Sequence, residues 1–284
     1  LPVKETDDGD TVYPLIWKAL STMTQKTMCD TSLTPESWKK GNVALLPKTP
    51  TPSPTEFRPI TLLSHVAKMF ENIIKAYMED DLEKEINVRY NQSGFQQNRG
   101  TQIASATQSA LSDCHRHMNK PLVYVYLDVK KAYDSVSSKV LLASLIRRRI
   151  PPIVARFLTF WVENHVRTLL IPGNTHEIKC TKGVPQGSVL SPLLYNIVSN
   201  TLVEYIDGQD NVLGLPQRTS LGPSVTIKGK RCSSSWRLFL YADDTISISL
   251  SLSAAQTQLN AIKAWADHVG LTLHPSKFVV VRMG

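Results

Sequence analysis

Tyr241-Ala242-Asp243-Asp244 sets two adjacent carboxylates between two apolar runs, Leu238 to Leu240 and Thr245 to Leu250. Two such runs joined by a short polar turn read as a β-hairpin. Far upstream, the strand-like run from Leu122 ends on a lone carboxylate, Asp128. A neighbouring strand carrying Asp128 would bring a third carboxylate to the turn. Such a cluster repels itself unless cations neutralise it. Two divalent ions bridging carboxylates suit in-line displacement at phosphorus, one activating the attacking oxygen and the other stabilising the leaving oxygen. Magnesium is the natural occupant, because hard oxygens and substrate phosphates complete its octahedron. The plainer reading is ordinary turn chemistry, since Asp favours turns.

The elements that must position these residues follow from hydrophobic period and breakers. Helical spacing is read around Val12 to Met28, with a helix start at Pro35 to Trp38. Asn42 to Leu46 reads as a short strand, and residues 49–56 as a Pro/Thr/Ser loop. Leu62, Val66, Met69, Phe70, Ile73 and Tyr77 predict a helix from Thr61 to Leu82 with that stripe in the core. Further helices are expected at Gln102 to Met118, Lys139 to Arg149, Ile153 to Val166, Ser191 to Ile206 and Ser253 to Val269, the last stopped by Gly270. Arg167 to Ile171 and Thr175 to Cys180 predict a hairpin across Pro172-Gly173-Asn174. Residues 207–235 are rich in Gly, Ser and Pro and read as a loop insertion. Strands and helices mix without regular alternation, which favours an α+β fold.

Composition narrows the class. The 284 residues are 42% hydrophobic and 20% charged, a globular balance. The formal net charge of +8 favours an anionic partner, nucleic acid foremost. Cys29, Cys114, Cys180 and Cys232 are far apart and suggest reduced thiols in an intracellular protein. Cys114-His115-Arg116-His117 lacks a second cluster to complete a metal site and reads as helix surface. No apolar run reaches membrane-spanning length. The start at Leu1 and the strand-like run Phe278 to Arg282 suggest a piece of a longer chain.

Two further segments complete the pattern. Asp128 stands in LDVKKAYDSV, with Tyr133 five positions on as a wall beside the carboxylates. Lys182 to Pro192 reads KGVPQGSVLSP. Its Gly183 and Gly187 permit close backbone approach, and Gln186 offers a donor and an acceptor.

In this order the segments resemble reverse transcriptases, and most closely the non-LTR (LINE-like) retrotransposon branch. LDVKKAYDSV resembles that family's motif A, GVPQGSVLSP its motif B and LFLYADDT its motif C. NVALLPK with FRPITLLSHVAKMFENII is similar to its fingers segment, QSGFQQNRGTQ to the next block, and GLTLHPSK to the segment ending in the motif D lysine. The resemblance implies a right-hand polymerase fold with an antiparallel palm sheet and the thumb absent. It divides the chain into an N-terminal helical extension (1–41), a fingers-rich part (42–120) and a palm (121–284). It implies an RNA-directed DNA polymerase that adds dNTPs to a DNA primer 3′-hydroxyl on an RNA template, with two Mg²⁺ ions. Asp128, Asp243 and Asp244 match the catalytic metal ligands, joined by the backbone carbonyl of Val129. Lys277 matches a lysine that neutralises the leaving pyrophosphate. Tyr133 matches the gate against a ribose 2′-hydroxyl. Gln186 and Gly187 match the loop under the incoming nucleotide, and Lys48 and Arg58 fingers positions that hold the triphosphate. Asp134 is expected to cap the following helix. Endonuclease and thumb domains are expected in the full-length polyprotein, which would work as a ribonucleoprotein in nucleus and cytoplasm. Three places depart from the pattern: Gly100 after Arg99, His274 before the motif D lysine, and a long stretch at 193–237. They keep a second reading in view, a catalytically inactive or domesticated nucleic-acid-binding relic.

Overall fold

The computed structural model describes residues 12–53, 56–81, 91–96, 99–171, 174–208, 219–220, 225–227, 230–232 and 235–283. The chain divides into two compact units. One is drawn from Leu1–Asn87 and Val136–Leu194, the other from Val88–Ser135 and Tyr195–Gly284.

The first unit is built on a four-stranded sheet in the order Phe57–Leu63, Lys40–Pro47, Val166–Ile171, Asn174–Lys179. The central pair, Lys40 to Val43 against Val166 to Leu169, runs parallel; the flanking pairs are antiparallel. This pairing joins 136–194 to the N-terminal segments, so the units are discontinuous, whereas the expected parts 42–120 and 121–284 are contiguous stretches. Phe70 anchors the core. Its ring lies 4.7 Å from Trp38, 5.6 Å from Phe157 and 5.3 Å from Trp161.

The helix expected from Thr61 begins later. Thr61 and Leu63 are strand residues paired with Val43 and Gly41, and the helix is His65–Asp81. Ser64 stops the strand and accepts a hydrogen bond from the Ala67 amide, the work of a helix-capping serine. The buried stripe is Ala67, Phe70, Ile73, Ile74 and Met78, while Leu62, Val66 and Met69 are exposed. The helix expected to reach Val166 ends at Glu163, because Val166 is already paired in the sheet.

One loop of this unit, 183–190, is pinned by Thr61 and Glu71. The Thr61 amide donates to the Gln186 carbonyl at 2.6 Å. Gly187 has φ +108°, and a Cβ there would overlap the Thr61 carbonyl oxygen. Glu71, fully buried, accepts from Trp161 Nε1 at 3.0 Å, Ser188 Oγ at 2.7 Å and the Val189 amide at 2.7 Å. Burial pushes its carboxyl up, and these donors pull the other way.

The second unit carries an antiparallel four-stranded sheet in the order Leu238–Tyr241, Asp244–Ser249, Leu122–Leu127, Val279–Met283. Helix Leu252–Val269 packs on it, capped by Ser251 and ended by left-handed Gly270. On another face Leu111, Leu122, Tyr124, Phe239 and Ile248 form a core cluster. Tyr124 there shares a 2.8 Å hydrogen bond with Ser112 on helix Thr101–His117. His115, expected on the helix surface, is buried, and burial lowers its imidazole pKa. Asp134 lies in the first turn of the short helix Ala132–Ser135; the N-cap of the next helix is Ser137. Within the expected loop insertion, helix Ser191–Gly208 runs in from the N-terminal side. Thr219–Ser220 pairs with Ser235–Trp236, and Val225–Ile227 with Lys230–Cys232. The remainder of 209–234 lies outside the described residues. Among the described residues no helix is long and apolar enough to cross a membrane, and Cys29, Cys114 and Cys180 are free thiols.

His165, in the first unit, is 1% exposed, and among the described residues neither ring nitrogen has a hydrogen-bond partner. Burial first and Arg167 second lower its pKa from 6.5 to about 4. The folded state therefore holds the neutral ring. The stability this ring allows is present above pH 6.5 and is lost as pH falls towards 4, on the order of 3 kcal/mol in full. Urea midpoints compared between the parent and His165→Leu at pH 7 and pH 5 check this. The parent loses more stability across that interval than the variant; parallel losses would contradict it.

Candidate active site

The hairpin register is Leu238↔Ser247 through Tyr241↔Asp244, so Ala242 and Asp243 form its two-residue tip. The adjacent strand pairs Thr245 with Leu127. Asp128 is the residue after Leu127, and Asp244 the residue before Thr245, so the antiparallel register sets Asp128 beside the carboxylate turn. The chain also changes partner at Asp128. Leu122–Leu127 belongs to the large sheet, and Val129–Lys130 pairs with Thr272–Leu273. The Asp128 carbonyl accepts from the His274 amide at 2.8 Å, so its backbone is held from both sides of the switch. Val129 is buried in that short pairing.

The electrostatics report three mutually repelling acids. Burial, then the charges of Asp243 and Asp128, push the Asp244 carboxyl up, and Lys277 pulls it down. Lys277 Nζ lies 2.6 Å from Asp128 Oδ2. The expected motif D lysine thus meets a carboxylate directly. Tyr133 stacks on Tyr195 with ring centroids 4.9 Å apart and planes 15° apart. Burial first and Asp243 second raise the Tyr133 phenol pKa. Burial leads for Tyr195 also, followed by Asp243, Tyr133, Asp244 and Asp128.

The donor set suits a hard divalent cation: carboxylate oxygens and a backbone carbonyl, with the Lys277 ammonium beside Asp128. Among the described residues no three His, Cys, Asp or Glu side chains are drawn closely enough together to hold one ion. Mutual repulsion around Asp244 and the Lys277 contact at Asp128 fit that spread. The chemistry of the donors fits a metal; their side chains are not closed around one.

Lys48, Arg58, Gln186 and Gly187 all belong to the first unit. Lys48 and Arg58 both lie at the loop end of one hairpin, where Pro47 faces Phe57 and Leu46 faces Arg58. Gln186 and Gly187 sit in the loop pinned by Thr61 and Glu71. Arg99 belongs to the other unit and donates to the Gln92 carbonyl at 3.3 Å. The cause is that Asn91 to Ser93 runs along the hairpin edge. The Leu240 amide donates to Asn91 O at 2.7 Å, and the Ser93 amide to Leu240 O at 2.9 Å.

Three residues escaped the sequence reading: Tyr195 behind Tyr133, Glu71 behind the 183–190 loop, and Gln92 beneath the turn. All three side chains are buried. Glu71 stands inside an otherwise apolar helical stripe and Gln92 inside the QSGF segment, the available signals for those two.

The curated relatives are polymerases of mobile elements. A type-1 R2 retrotransposable-element Pol polyprotein from Nasonia vitripennis is 28% identical over 86% of this chain and 22% of its own length. The probable RNA-directed DNA polymerase from transposon BS of Drosophila melanogaster is 28% identical over 71% of this chain and 23% of its own length. The chain thus spans less than a quarter of these relatives. Among solved structures, apo telomerase from Candida tropicalis matches 94% of the chain at a TM-score of 0.60 and 14% identity, covering 49% of that chain. Its form truncated from the C-terminal domain matches 99% at a TM-score of 0.57 and 15% identity, covering 58%. These likenesses show a shared polymerase fold, mixed α/β with antiparallel sheets. The reverse transcriptase (RNA-dependent DNA polymerase) model matches residues 40–283, and the chain belongs to that family.

Proposed function

We propose that this chain is the fingers-and-palm portion of a non-LTR retrotransposon reverse transcriptase, extending a DNA primer with dNTPs along an RNA template. The observation that carries the reading is the register that sets Asp128 beside the Asp243–Asp244 turn, in a chain matching the family over residues 40–283.

Asp128, Asp243, Asp244 and the Val129 carbonyl would hold two divalent ions, Mg²⁺ by the hardness of these oxygens. When bound, the ions supply charge for the attacking hydroxyl and the leaving pyrophosphate. The chain's own residues do the rest. Lys277 neutralises Asp128 before ions enter and the pyrophosphate afterwards. Tyr133, held flat against Tyr195, fills the volume a ribose 2′-hydroxyl needs. Gln186 and Gly187 support the nucleotide, and Lys48 and Arg58 bind its triphosphate, Arg through paired hydrogen bonds. An RNA template, a DNA primer and further endonuclease and thumb domains belong to this reading, as does work inside the cell as a ribonucleoprotein. The relic reading has no supporting observation.

Primer extension on an RNA template by the full-length protein tests the proposal. Asp243→Asn lowers the extension rate by more than the roughly 10–100-fold that loss of a supporting contact brings, with RNA binding retained. Extension at the parent rate by a folded variant overturns the metal role.

Tyr133→Val admits ribonucleotides. The ratio of kcat/KM for dNTP over rNTP drops roughly 10-fold or more, the scale of one group's fit in a pocket. An unchanged ratio removes the gate assignment.

A further inference from the structure

We infer that Gln92 is a positioning residue for the carboxylate turn: a buried amide that holds Ala242 left-handed and so fixes where Asp243 and Asp244 point. The inference rests on the active-site reading above for its consequence, and on hydrogen-bond geometry for its cause.

Ala242 has φ +56°. A left-handed alanine is strained by the clash of its Cβ with the backbone, and such residues persist where their surroundings over-determine them. The surroundings here converge on one side chain. Gln92 is fully buried. Its Oε1 accepts from the Ala242 amide at 2.9 Å and from the Gly94 amide at 2.9 Å. Its Nε2 donates to the Ala242 carbonyl at 3.3 Å and to Ser199 Oγ at 3.3 Å. Both acceptor sites and both donors of the amide are thereby used. Two of the four bonds bracket the peptide groups on either side of one Cα, at the tip of the hairpin.

The contacts around it serve the same turn. A Cβ on Gly94 would overlap the Ala242 nitrogen, so glycine lets the segment lie flat on the tip. Asn196 Nδ2 donates to the Gly94 carbonyl at 2.8 Å. A glutamine filling space would need no such alignment. An unbonded amide in this position would be strongly unfavourable.

The test uses the full-length protein and the Gln92→Met variant, which keeps the length but loses all four hydrogen bonds. The first readout is amide hydrogen exchange without metal. Ala242 N–H is slow in the parent and fast in the variant, while Leu240 and Thr245 stay slow. The second is steady-state primer extension. Displacing catalytic groups by about 1 Å costs on the order of 100-fold, so kcat falls on that scale while KM for dNTP is unchanged. The third is rescue. Ala242→Gly in the Gln92→Met background recovers most of the lost kcat, because glycine occupies left-handed backbone without penalty.

A folded Gln92→Met protein with slow Ala242 exchange, parental kcat or no rescue by glycine overturns the inference. If Gln92→Met does not fold, Gln92→Glu, which keeps the acceptor half of the bracket, is read in its place. A smaller kcat loss supports the inference, and parental kcat overturns it. The active-site reading fails separately, through Asp243→Asn. The exchange result stands whether or not the turn is catalytic.

Discussion

Three carboxylates within one strand register repel one another, and much of the second unit is arranged to hold them there. Asp244 shows the cost directly, its carboxyl pushed up by burial and by Asp243 and Asp128. The sheet cannot splay to relieve it. Leu122–Leu127 is paired on both edges, to Asp244–Ser249 and to Val279–Met283. Helix Leu252–Val269 locks the hairpin, with Gln258 Nε2 donating to Ser247 Oγ at 2.9 Å and to the Arg237 carbonyl at 2.7 Å. Lys277 offsets part of the charge at Asp128. A divalent ion would offset far more.

The two units differ in the residues they carry. Carboxylates and the Tyr133–Tyr195 stack lie in the second; the basic pair and the 183–190 loop lie in the first. In each, a buried polar side chain holds an irregular backbone segment: Glu71 for the loop around Gly187, Gln92 for the turn around Ala242. Both segments contain a left-handed residue. Regular pairing cannot fix such backbone, so specific hydrogen bonds take over.

The sequence exposed what repeats and hid what converges. Asp128 ending an apolar run, and Asp243–Asp244 between two others, were legible because strand alternation and turn chemistry are local. Gly270 marks a helix end for the same reason. Thr61 to Leu63 misled because its apolar residues fit helical spacing while pairing with Gly41 to Val43, twenty residues away, decided the outcome. The parallel pairing of Lys40 to Val43 with Val166 to Leu169 left no local trace, so the discontinuous units were invisible. His115 stands in a polar Cys114-His115-Arg116-His117 run that reads as surface, and its burial depends on packing that no local pattern shows. Gln92 and Tyr195 act through contacts made by distant segments, and neither residue type announces its partner.

The central claim is that Asp128, Asp243 and Asp244 together hold the ions for phosphoryl transfer. Anomalous diffraction from crystals of the full-length protein with Mn²⁺, primer–template and a non-hydrolysable dNTP tests it most directly. The account predicts two manganese peaks roughly 3.5–4 Å apart on these carboxylates, with Lys277 Nζ released from Asp128 Oδ2. Manganese bound elsewhere, or Lys277 still paired with Asp128 in the loaded complex, would contradict it.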